Sequence, residues 1–151
     1  MLIRPLPNGH VIAVDPNSFL DPADKKTMEG NIVTLKDAYG NDPNKVFTLK
    51  EQSQDALFVN SWIWGKYVFV PQIDATPDPE DRNNPVIEQI RGDNKRALET
   101  YRTALGKDYT VIGVTIQFPS AAAGTRGAFG GIHCMSSTIW GRSFSQDNAK
   151  K

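Results

Sequence analysis

One cysteine, Cys134, and two histidines, His10 and His133, are the only thiol and imidazole groups in 151 residues. A single thiol excludes an internal disulfide. A closed structural zinc site needs four well-placed ligands, so neither a metal nor another cofactor is expected. Charge of one sign is also lacking, because 17 Lys and Arg stand against 17 Asp and Glu. Nucleic-acid binders carry a basic stripe, so no nucleic-acid partner is expected. No apolar run reaches about 18 residues, so no helix is expected to enter a membrane. The opening MLIRPLPNGHVIAV has no signal-peptide pattern, and a cytoplasmic setting is the expectation. There is no internal repeat and no low-complexity tract.

What is present is the composition of one folded domain, 39% hydrophobic and 23% charged. A chain of this length buries roughly two-thirds of its unfolded surface. Residues 1–55 are expected to be irregular with short strands. Leu2–Arg4 and Val11–Val14 predict strands around the turn Pro7-Asn8-Gly9, whose Asn-Gly pair suits positive φ. Asp21–Gly30 is polar and predicts one or two helical turns. Ile32–Leu35 and Val46–Leu49 are weaker strand candidates, with loop chemistry between them.

A ββαβ module is expected over 56–117. Ala56–Trp64 is aromatic and β-branched, and Tyr67–Val70 returns after Gly65-Lys66. That pattern predicts a hairpin with Gly65 in a type II′ turn. Its near-continuous apolar character predicts that both faces are covered. After the Pro71–Pro85 loop, Asn84 can cap a helix and Pro85 suits its first turn. Val86, Ile87, Ile90, Ala97, Leu98, Tyr101, Ala104 and Leu105 form a helical stripe. Gly92 and Asp93 suggest a kink or split, and Gly106 a stop. Tyr109–Gln117 predicts a strand. A glycine-rich loop and a short strand at Ile132–Thr138 are expected over 118–142, then a tail over 143–151.

Cys134 is the candidate nucleophile. A thiolate attacks, so a reactive cysteine needs its pKa lowered by nearby cations, a helix N-terminus or the substrate. Gly130 and Gly131 before it allow close approach of backbone or substrate. A small buried hydrophobe is the competing role of a free cysteine. Arg126 could contact a substrate carboxylate, although a solvated arginine is the commoner case. The acids Asp74, Asp78, Glu80 and Asp81 fit a solvated loop better than a cation grip. Trp62 and Trp64 share one face at strand spacing, and packing is favoured over a ligand platform.

Gly130-Gly131-Ile132-His133-Cys134-Met135-Ser136 resembles the C-terminal nucleophile motif of the guanidino-group-modifying (deiminase and amidinotransferase) superfamily. Phe58-Val59-Asn60-Ser61, then Trp62–Val70 and Pro71-Gln72, is similar to that family's segment of Tyr-x-Asn-Phe, strand, turn, strand and Pro-Gln. Ile3-Arg4-Pro5-Leu6-Pro7 is similar to the strand leading towards it. Agmatine deiminases and bacterial peptidylarginine deiminases of the Porphyromonas type match best in order of elements, over roughly Ala56–Thr138.

The resemblance implies an α+β fold, a partial propeller with about one and a half ββαβ modules of five. It implies Cys134 as nucleophile towards the guanidinium carbon and Asn60 as a polar residue orienting substrate or nucleophile. Gly130, Gly131 and Arg126 are then the candidate substrate contacts. The family's His-x-Asp motif is missing, since His10 is followed by Val11-Ile12. His133 neighbours Cys134 and points to the other face of a strand. The chain therefore looks like the last part of a propeller. Three functions stay open: a hydrolase of agmatine or arginine groups, a catalytically incomplete binding module, or an unrelated domain with a core cysteine. An open propeller sector exposes strand edges, so a homo-oligomer is expected.

Overall fold

The computed structural model describes residues 2–50, 58–73, 75 and 85–116. Within them the chain is mixed α+β, with two helices and two three-stranded sheets and no closed barrel. Both sheets follow one connectivity. A hairpin is followed by a helix, and the next strand returns parallel to the second strand of the hairpin.

The first unit uses β1 (Ile3–Pro5), β2 (Val11–Val14), α1 (Pro22–Ala38) and β3 (Val46–Leu49). The expected strands at both ends are present. The β1–β2 turn closes through Gly9 N to Leu6 O and Leu6 N to His10 O. The turn is the expected Pro7-Asn8-Gly9, but only Gly9 of its Asn-Gly pair takes positive φ, at 82°. A complete β–β–α–β unit thus occupies sequence expected to be irregular. Ile32–Leu35 is not a strand, and the short helix expected over Asp21–Gly30 runs to Ala38. Local signals explain its length. Asp21 Oδ1 accepts from Ala23 N at 2.6 Å, Pro22 fills the first turn, and Asn41 N donates to Lys36 O beyond the end. Only Met28 and Ile32 are buried, with Leu35 half-buried, a thin stripe that Gly30, Val33 and Thr34 obscure.

The second unit uses β4 (Trp62–Trp64), β5 (Tyr67–Ile73), α2 (Pro85–Leu105) and β6 (Thr110–Ile116). Gly65 takes φ 58° while Lys66 does not turn positive, as a type II′ turn requires. Helix α2 is continuous through Gly92, against the expected kink or split. Asp93 does not re-cap it. Its side chain is buried, with Arg96 Nη2 3.2 Å from Oδ1. Gly106 ends the helix at φ 73°, its N–H bonded to Arg102 O. The expected cap Asn84 and the sequence beyond Ile116 lie outside the described residues.

Helix α2 joins the two units. It packs on β5 and β6 of its own sheet and on β2 and β3 of the other. Ala97, Tyr101, Ala104 and Leu105 form its buried stripe, within a core shared by Ile12, Val14, Leu49, Val68 and Val70. Each buried Val, Leu or Ile side chain among them contributes about 1.5–3 kcal/mol. The last helical carbonyls lack intrahelical partners, and the other unit supplies them. Asn8 Nδ2 donates to Ala104 O at 2.7 Å, and His10 Nδ1 donates to the same oxygen at 2.6 Å.

Candidate functional site

The segment Phe58–Ser61 leads into β4 and carries Asn60. All four of its residues are buried, Asn60 at 5% exposure and Ser61 at 0%. Its position is set from α2. The Tyr101 hydroxyl, wholly buried, donates to Phe58 O at 3.0 Å. Buried Tyr needs such a partner, and a buried carbonyl outside a ladder needs a donor, so one bond satisfies both. Tyr101 sits on the predicted stripe, but its polar role has no sequence signal.

The far end of the hairpin is held by a second side chain of α2. Ile73 lies beyond the part of β5 that β4 pairs with, so its peptide groups need another partner. Asn94 Oδ1 accepts from Ile73 N at 3.0 Å, and Asn94 Nδ2 donates to Ile73 O at 2.8 Å. One carboxamide thus does the work of a neighbouring strand. Beside it, Gln72 is buried and donates through Nε2 to Pro71 O. Its side chain lies over Gly113, where an added Cβ would stand 3.0 Å from Gln72 Cγ. Pro71 and Gln72 are both buried within the sheet, Gln72 over Gly113 of β6.

Three buried polar atoms have no hydrogen-bond partner among the described residues: Ser61 Oγ, Arg4 Nε and Asp93 Oδ1, the last compensated only by its ion pair with Arg96. Ser61 follows Asn60 directly, in the buried segment just before β4. Arg4 lies on β1, opposite Ile12, and is nine-tenths buried. Burial pushes its guanidinium below the ordinary arginine range, and the charge interaction with Tyr101 offsets part of that. Arginine stays protonated even so. Arg4 thus feels Tyr101 electrostatically, and Asn60 and Ser61 follow Phe58, whose carbonyl Tyr101 holds. A carboxamide and a hydroxyl can orient a ligand, but neither is a strong base or nucleophile at neutral pH.

Of the sequence-predicted site, only Asn60 falls within the described residues. Cys134, Gly130, Gly131, Arg126 and His133 lie outside them, as do the acids Asp74, Asp78, Glu80 and Asp81. His10 is described, and its ring is committed to Ala104 O and packed 5.8 Å from the Phe47 ring. Trp62 and Trp64 share a face as expected, but that face is not covered at its tip: Trp64 is 61% and Tyr67 49% exposed. On the other face Val68 and Val70 are fully buried and Ile63 is half-buried. Ser61, Gln72 and Arg4 stand inside the quoted motifs, yet only the fold marks them as buried polar groups.

Among the described residues no group of three or more His, Cys, Asp or Glu could hold a metal, and no helix is long and apolar enough to cross a membrane. No family model matches the chain, and comparison with curated proteins and with solved structures finds no match.

Proposed function

We propose that this chain carries the nucleophile region of a deiminase-type hydrolase acting on guanidino groups of the agmatine or arginine class. The observation that carries the reading is the repeated β–β–α–β unit, with Asn60 buried where the second unit begins. That unit is the one the resemblance implies, and it occurs twice in succession. In the proposed reaction the Cys134 thiolate attacks the planar guanidinium carbon, and a tetrahedral adduct forms. Ammonia leaves with a proton from a general acid, giving a thiouronium. Water then adds, and the thiolate departs to leave a ureido product. Asn60 orients the substrate or the nucleophile, with Gly130, Gly131 and Arg126 as contacts for substrate.

A second reading is favoured by His10. The proton transfers need a free imidazole or an equivalent group, and His10 is tied to Ala104 O. In that reading the chain binds guanidino compounds without turning them over, alone or as a homo-oligomer.

Agmatine, free arginine and benzoyl-arginine, each incubated with the whole protein, separate the two. Ammonia and ureido product from any of them, abolished in Cys134→Ser, are expected. Saturable binding with no product selects the second reading. Neither product nor binding for all three would remove guanidino chemistry altogether.

A further inference from the structure

We infer that the turn end of the second hairpin is a binding groove for a neutral saccharide. The register Trp62↔Phe69 and Trp64↔Tyr67 places four aromatic rings on one face of the hairpin. Three of them stack on one another. Trp62 and Trp64 lie nearly parallel, 7° apart with centroids at 6.2 Å, and Trp62 stacks on Phe69 at 5.1 Å. At the tip this stack opens into a groove of about 410 Å³ lined by Trp64, Gly65, Lys66, Tyr67, Asp108 and Thr110. That volume lies within the roughly 300–1,000 Å³ usual for small-molecule sites. Its two walls are tied together, because Thr110 N donates to Lys66 O at 2.8 Å.

Charge decides which ligand fits. Lys66 and Asp108 bring one charge of each sign, and neither forms an ion pair or side-chain hydrogen bond among the described residues. A phosphate or carboxylate drawn by Lys66 would meet Asp108. A guanidinium drawn by Asp108 would meet Lys66. A purely apolar side chain would desolvate both charges without pairing either. A pyranose presents a face of C–H groups to an exposed indole or phenol ring, and a rim of hydroxyls that donate to a carboxylate and accept from an ammonium. The exposed rings and the balanced charges suit that combination together.

Tryptophan emission of the whole protein, titrated with maltotriose, cellotriose and chitotriose, tests the assignment. At least one is expected to give a saturable change, with binding weakened about five- to tenfold or more in Trp64→Ala. Asp108→Asn is expected to weaken it too, and Cys134→Ser to leave it unchanged. Far-UV circular dichroism should report an intact fold for Trp64→Ala, whose side chain is mostly exposed. Emission unmoved by all three sugars overturns the proposal. So does a response that survives Trp64→Ala, or one given only by agmatine or by uridine. Because Cys134→Ser abolishes turnover but not this binding, the two proposals fail independently.

Discussion

Helix α1 buries Met28 and Ile32 and leaves Val33 59% exposed, whereas α2 buries Ala97, Tyr101, Ala104 and Leu105 and touches both sheets. The two helices occupy the same place in the same connectivity. Their difference shows that topology and mechanical role are separable. The first helix covers part of one unit. The second is the joint of the molecule, and it also supplies the polar groups that shape the candidate site, Tyr101 towards Phe58 and Asn94 towards Ile73. A mutation in α2 therefore reaches the core, both units and the Asn60 segment together.

Truncation of each helix at its central buried residue tests that contrast most strongly. Tyr101→Ala is expected to lower stability by about 3–5 kcal/mol, through the cavity and the orphaned Phe58 carbonyl. Met28→Ala is expected at the lower end of about 2–5 kcal/mol, because it leaves a cavity but orphans no buried polar group. Urea unfolding midpoints give the comparison. Equal losses would show that α1 holds the fold as firmly as α2.

The polar clamp of α2 comes next. Asn94→Ala should cost about 1–3 kcal/mol by leaving both peptide groups of Ile73 unpaired. Hydrogen exchange at the Ile73 amide should accelerate more than at Val68, which lies within the hairpin. An unchanged Ile73 rate would mean that another group replaces the carboxamide.

The smallest effect compares the two hairpin turns. Gly9 and Gly65 both take positive φ, and each has open space where a Cβ would go. Backbone strain is then the whole penalty, about 1 kcal/mol for Gly9→Ala and the same for Gly65→Ala. Thermal melts of the two variants should coincide. A much larger loss at one turn would reveal that its unit depends more on local geometry.

The strands at Val11–Val14 and Val46–Leu49, the Gly65 turn and the α2 stripe were legible because each has a short-range cause: β-branched runs, a glycine at a turn, apolar residues at helical spacing. Helix α1 was masked by glycine and β-branched residues in its interior, although its caps were present in Asp21-Pro22 and Gly40-Asn41. The pairing of β3 with β2 was not legible either, since a parallel neighbour across a helix leaves no mark on local spacing. Asn60 was singled out through its motif. Ser61, Arg4 and Tyr101 were not, because burial of a polar group depends on what packs over it.

Composition alone determined that an internal disulfide is excluded, and local patterning determined most of the strands and the main helix. Tertiary structure alone decided that two units share one helix and that His10 ends on Ala104 O. It also decided that one hairpin face is buried while the other presents Trp64 and Tyr67 to solvent. The physical reason is range. Turns, caps and periodicity arise between residues a few positions apart, whereas burial and the pairing of polar groups arise between residues such as Tyr101 and Phe58, brought together only when the chain has folded.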